Sequence, residues 1–259
     1  VRRAALRLAI LGSGSEGNAL FLEASGFRVL VDAGFSCREL EARLTGLGVD
    51  PARIDLILLS HEHGDHAKGA IRFAQRFRCR VAANRGTLRC LGPGRETLRV
   101  VPMEAGKPQA FGTWRMTAVP VPHDAVDPVA FRLETPEGSV GYALDLGHAP
   151  EPVRRALENC EVLIVEANHD LELLEAGPYP DELKQRVAGP RGHLSNDEAG
   201  RLIADVVTRR TRSLVLAHLS RTNNRESLAV LSARRALGSL SGSIRMTVAE
   251  QGSAGWIET

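Results

Sequence analysis

At 259 residues and 43% hydrophobic content, the chain is long enough for one large domain or two small ones with a sizeable core. Its longest apolar runs, such as "LILLS" and "SLVLAHL", fall well short of the ~20 residues that a bilayer span needs, and the Arg-rich start has no apolar h-region. A soluble, cytoplasmic protein with no membrane partner is therefore expected, and a net charge of +2 gives no sign of a strongly basic face. Cys37, Cys79, Cys90 and Cys160 are scattered without a C-x-x-C pair, which argues against a zinc knuckle or redox motif and for reduced thiols. Only Lys68, Lys107 and Lys184 are lysines among 33 basic residues. Arginine forks suit phosphate geometry, and genome composition accounts for the bias equally well.

In chain order, "LRLAIL" (6–11), "ALFLEA" (19–24) and "FRVLVDAG" (27–34) read as strands between glycine turns and predict a meander. "SCRELEARLTGLG" predicts a helix with Ser36 as N-cap and Gly48 as stop. The apolar run "IDLILLS" predicts a buried strand, and "HAKGAIRFAQRF" the next helix. Strands are expected at "CRVAA", "TLRVV", "WRMTAVPV", "PVAFRLETP" and "SVGYALDLG". The last third alternates helix and strand: "PVRRALENC", "EVLIVEA", "DELKQRVA", "NDEAGRLIADVVTRR", "SLVLAHLS", "RESLAVLSARRAL" and "IRMTVA". No internal repeat or low-complexity linker interrupts it. Strand runs followed by helices, twice over, predict one α/β domain with α+β-type layering, two sheets packed between helical layers.

The end of the "IDLILLS" strand delivers "HEHGDH", which places His61, His63 and His66 with Asp65 and Glu62 in six positions of a chain that has eight histidines. Histidines two apart at a strand end can converge on one cation, while Asp65 and His66 come from the following turn. Imidazole nitrogens with carboxylate oxygens favour zinc, manganese, iron or nickel over calcium or magnesium. A histidine-rich surface loop is the alternative, and the H-x-H-x-D-H order weighs against it. Glu62 has no assigned ligand role and is expected to point away from the metals.

This motif after a strand resembles the signature of the metallo-β-lactamase superfamily. The resemblance continues with "VPHDA" (His123), "ALDLG" (Asp145) and "LAHLS" (His218), each after an apolar strand and in the family's order. It implies a single domain over residues 1–259, a four-layer αββα sandwich with a dinuclear site along one edge. By this resemblance His61, His63 and His123 would hold one divalent ion and Asp65, His66 and His218 the other, with Asp145 and a water bridging them. No cysteine occupies a ligand position, which separates the chain from the true β-lactamases of the superfamily. Taken singly, each of His123, Asp145 and His218 reads more readily as a satisfied core or rim residue; their joint order reverses that reading.

Two divalent ions, zinc or manganese, about 3.5–4 Å apart would lower the pKa of a bridging water and clamp the oxygens of an in-line displacement. Asp65 would use its second oxygen to orient the attacking water or accept its proton. Thioester, lactone and phosphodiester hydrolases of the superfamily share such a cluster. "LIVEANHD" and "RGHLSNDEAGRLI" discriminate among them, because Glu166 and His193 resemble the pair that protonates the leaving oxygen in the tRNA 3′-processing branch. A sugar alkoxide leaves poorly and benefits from such an acid; a thiolate does not. The plainer readings are a surface carboxylate for Glu166 and a residue packed beside a capping box for His193. "AHLSRTNN" resembles that branch's tail, making Ser220, Arg221 and Asn223 candidate phosphate contacts; a polar loop is the alternative. "GSGSEGN" reads as a tight turn, lacking the P-loop Lys-Ser/Thr, with Asn18 near the metals, supporting a ligand or touching substrate. His148 and His169 are expected on the rim, with a His169–Asp170 hydrogen-bonded pair as the alternative for the second.

Several segments together, among them "LGSGSEGNA", "DAGFSCRELEARL", "GPYPDELKQRVAG" and "GHLSN", resemble the bacterial YycJ/WalJ group of this superfamily over roughly residues 8–226. The group implies a 5′→3′ exonuclease acting on DNA. Glu16 and His148 depart from its usual residues. The 73 residues from Asp145 to His218 leave no room for a β-CASP insertion, and no Gly/Pro-rich tRNA-gripping arm is present. The segment 176–192 is expected to rim the site. The reading is a dinuclear metal-dependent phosphodiesterase with DNA as favoured partner. Its rivals are a thioester or lactone hydrolase of the same fold and a regulatory protein with a structural metal.

Overall fold

A computed structural model describes residues 5–258. The meander forms from three short strands, β1 (Arg7–Gly12), β2 (Ala19–Ala24) and β3 (Phe27–Val31), paired antiparallel in sequence order. The chain then winds in parallel through α1 (Cys37–Gly46), β4 (Leu56–Leu58), α2 (Gly64–Ala67), α3 (Ala70–Phe77), β5 (Arg80–Asn84), α4 (Arg85–Cys90) and β6 (Val100–Met103). A second sheet repeats the plan. β7 (Pro108–Phe111), β8 (Trp114–Pro120), β9 (Val129–Thr135) and β10 (Gly138–Ala143) pair antiparallel. Then come α5 (Glu151–Leu157), β11 (Val162–Glu166), α6 (Leu171–Ala176), α7 (Asp181–Val187), α8 (Asn196–Val206), β12 (Ser213–Ala217), α9 (Glu226–Leu237) and β13 (Arg245–Val248). Strands β10 to β13 run parallel. Finally β14 (Gly255–Ile257) returns to the first sheet beside β1. Among the described residues each sheet has seven strands, in the orders β14-β1-β2-β3-β4-β5-β6 and β13-β12-β11-β10-β9-β8-β7.

Alternation along the strands explains the layering. In β1, Leu8 and Ile10 face a core shared by the two sheets, together with Leu22, Val31, Phe131 and Ile164. Ala9 and Leu11 face the opposite way, under α1 and α3 with Phe73 and Leu44. The second sheet's outer face packs Leu163, Val165 and Leu216 against Leu202, Ile203 and Ala233 of α8 and α9. Three cores separate four layers, helix, sheet, sheet, helix, as the sequence led us to expect. Each buried leucine or isoleucine contributes about 1.5–3 kcal/mol by leaving water.

Ser36 caps α1 through its side chain, which accepts from Glu39 N, and Ser195 with Glu198 forms a full capping box at α8. The helix expected over 66–77 differs, splitting into α2 and α3 at Gly69, whose N–H donates to Ala33 O. There a Cβ would lie 2.2 Å from Phe35 O, so the turn and the 33–35 loop pack too closely for a side chain. The sequence reading missed α4, α6, β7 and β14. All are short, and β7 and β14 are largely exposed, leaving little apolar periodicity to detect.

Candidate active site

The carboxyl ends of the parallel strands in both sheets meet along one edge, where the chain must turn side chains out of the pleat. Asp32 after β3, Asp145 after β10 and His218 after β12 do so with positive φ, 60°, 55° and 55°. Asp and His tolerate this left-handed region better than most residues, and strain of about 1–3 kcal/mol per site is held by the surrounding structure. His61 follows β4, His63 caps α2, and Asp65 and His66 lie in its first turn. His123 follows β8, Glu166 ends β11, and His193 precedes the α8 cap.

Among the described residues three groups could hold a metal, and the third, Asp145, Glu166, His193 and His218, overlaps the second. His61, His63 and His123 form the first; Asp65, His66, Asp145 and His218 form the second. Asp145 lies between them, its Oδ2 3.2 Å from His61 Nε2 and 2.7 Å from His66 Nε2, its Oδ1 2.6 Å from His218 Nδ1. Burial would raise the Asp145 carboxyl, but His218, His66 and His193 hold it well below the usual range. Burial pushes His61 and His123 down, toward the neutral form that binds metal. His61 Nε2 and His218 Nε2 are buried yet find no hydrogen-bond partner of proper geometry among the described residues. Leaving such atoms unpaired costs about 1–3 kcal/mol each, and a divalent cation would satisfy them. These buried His/Asp clusters are consistent with a dinuclear metal site, and nothing in the donor set selects one metal.

Glu166 is fully buried, and its Oε1 lies 2.6 Å from His193 Nδ1 and 3.0 Å from His218 Nδ1, while Oε2 accepts from the N–H groups of Leu146 and Leu194. Against the raising effect of burial, His193 and His218 bring its carboxyl down to about 2. His193 shows the converse: burial alone would lower it, yet Glu166 and Asp145 raise it to about 9. A cavity of about 210 Å³ opens over these groups, with Asp65, Asp145, His193 and His218 in its wall and Leu183 and Arg186 of α7 on its rim.

A family model described as a beta-lactamase superfamily domain matches residues 27–219. The chain belongs to the metallo-beta-lactamase superfamily. It is 34% identical over 228 residues, 86% of this chain and 85% of the relative, to a protein named exodeoxyribonuclease WalJ in Streptococcus pneumoniae serotype 2. It is 30% identical over 238 residues, 90% and 89% of the two chains, to one named exodeoxyribonuclease YycJ in Bacillus anthracis. Among solved structures, the metallo-beta-lactamase fold protein YhfI from Bacillus subtilis aligns with a TM-score of 0.72 over 98% of this chain and all of that one. At 18% identity that likeness shows the shared fold. Family and clusters together mark this superfamily member as a metallo-hydrolase with a His/Asp metal site.

One residue of the superfamily member's site escaped the sequence reading. Asp32, fully buried, lies 2.8 Å from His66 Nδ1 and accepts from Tyr142 OH at 2.7 Å and from both the N–H and hydroxyl of Ser60. Ser60 Oγ is in turn 3.0 Å from His61 Nδ1. The carboxylate thus fixes the His66 ring with Nε2 facing inward. Its signal, an aspartate between an apolar strand and Gly34, was present in "VDAG". At Gly34 a Cβ would fall 1.7 Å from Asp65 O, so only glycine lets this loop bind the cluster's backbone.

Other expectations are corrected. His169 is not a rim residue but fully buried, and neither ring nitrogen has a hydrogen-bond partner among the described residues. Asp170 does not pair with it; its side chain caps α6 through Leu173 N. Asn18 and Asn223, grouped with the substrate contacts from sequence, are both buried at 1% exposure, and Asn18 stands against the ligand residues His66 and Asp65. Asn18 Nδ2 lies 3.0 Å from His66 Nε2, and its backbone N–H donates to Asp65 O. Ser220 Oγ accepts from Asn223 N, and Arg221 is exposed in an ion pair with Glu16 at 3.1 Å. His148 is exposed, with Nδ1 3.1 Å from Pro190 O. Glu62 is half-buried, and its Oε1 accepts from Val126 N.

Among the described residues no helix is long and apolar enough to cross a membrane.

Proposed function

We propose that this protein is a dinuclear metal-dependent phosphodiesterase that degrades DNA from the 5′ end. The observation that carries the reading is the 2.6 Å contact between Glu166 and His193 at the wall of the histidine-lined cavity. In this reading His61, His63 and His123 would hold one ion and Asp65, His66 and His218 the other, with Asp145 between the two groups; zinc and manganese both suit the donors. Such ions, when bound, polarise the phosphoryl oxygen and lower the pKa of water. Asp65 orients the attacking water. Glu166 accepts from His193 Nδ1, which leaves Nε2 to carry the proton that the departing sugar oxygen needs. The raised His193 pKa, due to Glu166 and Asp145 and opposed by burial, keeps that proton in place at neutral pH. The names of the two bacterial relatives support DNA as the substrate.

The test is incubation of metal-reconstituted protein with 5′- and 3′-labelled single- and double-stranded DNA and RNA, with Asp65→Asn as control. Release of nucleotides from the 5′ end of DNA is expected. No release from any nucleic acid, with cleavage of a thioester or lactone, would replace the reading by the small-molecule one. His193→Ala should slow DNA cleavage by about 10²–10⁴-fold while leaving an activated aryl phosphodiester much less affected; equal losses would remove His193 from the proton path.

A further inference from the structure

A phosphodiester carries a negative charge into a cavity whose wall already holds Asp65, Asp124 and Asp145. Among the described residues, Arg186 is the one arginine or lysine that lines it. Arg186 stands in α7, on the segment 176–192, and that segment is tied to the loop carrying His123 at several points. Arg191 donates from Nε and Nη2 to His123 O, and His123 Nδ1 lies 3.2 Å from Gly192 O. Gly192 is required there, since a Cβ would lie 2.2 Å from both Arg186 O and Val187 O.

Asp124, next to His123, completes the frame. Its Oδ2 accepts from Arg186 Nε at 2.7 Å and lies 2.5 Å from Nη2, while its Oδ1 is 3.3 Å from His123 Nε2 and 4.0 Å from His63 Nε2. The guanidinium is therefore held by one edge at the border of the three-histidine group. A guanidinium has five N–H donors, and two nitrogens facing one carboxylate oxygen leave Nη1 and part of Nη2 unused. The Arg186 side chain is 65% exposed, so those donors are open to a ligand.

We infer that Arg186 grips a non-bridging phosphate oxygen of the bound nucleic-acid strand, and that Asp124 is the positioning residue that aims it. This rests on the phosphodiesterase reading above. The fork of an arginine suits phosphate where the point charge of lysine does not fix orientation.

The test compares Arg186→Ala, Arg186→Lys and Asp124→Asn with Arg155→Ala, which removes an exposed arginine of α5 away from the cavity, all in the full metal-reconstituted chain. KM, kcat and their salt dependence are read on a labelled DNA oligonucleotide, with thermal melting to confirm folding. Arg186→Ala is expected to raise KM roughly tenfold with kcat within a few-fold, and to lessen the slope of log(kcat/KM) against log[salt] by about 0.7–0.9, one phosphate contact. Arg186→Lys should keep the salt slope but not the KM. Asp124→Asn should raise KM with the slope kept, the charge being present but no longer aimed. A folded Arg186→Ala with the KM and slope of Arg155→Ala would overturn the inference while leaving the nuclease reading intact. A wild-type protein that cleaves no DNA would overturn both.

Discussion

The first sheet supplies His61, His63, Asp65 and His66 from one six-residue stretch after β4, whereas the second supplies His123, Asp145, Glu166, His193 and His218 from five separate places. The bracing differs accordingly. In the first half, Asp32, Ser60 and the Gly34 turn hold a compact loop from behind through buried hydrogen bonds. In the second, the groups brace one another, Asp145 and Glu166 sharing His193 and His218. A local cluster is held by its scaffold, and a dispersed one by its own charges.

This contrast can be tested by deletion. The largest effect should come from Asp145→Ala, which removes the carboxylate common to both halves; activity should fall to the assay background on DNA and on an aryl phosphodiester alike. Asp32→Ala follows. It strands Tyr142, Ser60 and His66, and should cost about 3–5 kcal/mol in a urea melt as well as roughly 10–100-fold in metal affinity by calorimetry. Glu166→Gln should differ in kind, with a smaller loss of stability and a fall of about 10–100-fold in DNA cleavage that spares the aryl diester. If Glu166→Gln destabilises the fold as much as Asp32→Ala, the contrast between scaffold and charges fails. The smallest effect concerns thiols. Burial pushes Cys79, in the core outside the first sheet, up to about 12, and Cys160, outside the second, up to about 11. A thiol reagent should modify exposed Cys90 in the native protein and reach the other two only on unfolding, their order showing which outer layer opens first.

The same contrast governs how much was legible in the sequence. "HEHGDH" could be read at once because its residues are neighbours in the chain. His123, Asp145 and His218 each follow an apolar strand and gain meaning only jointly, since nothing local separates a ligand from a core histidine. Asp32 was missed because a carboxylate that braces a ligand looks, in sequence, like any strand-ending aspartate. His169 was misplaced because burial of a histidine depends on packing between distant loops. The two-sheet layering was legible from apolar runs and turns, while the short exposed strands β7 and β14 were set by tertiary pairing.

Tyr142 stands on a strand of the second sheet, and its hydroxyl closes on Asp32 at the end of a strand in the first. The cluster therefore acquires its final geometry only when the two halves of the sandwich dock. Ion binding and docking would then be one linked equilibrium, in which a cation at a hundred times its Kd would add about 2.7 kcal/mol to the closed form. Loss of the ions should loosen the seam between the sheets before it melts either one.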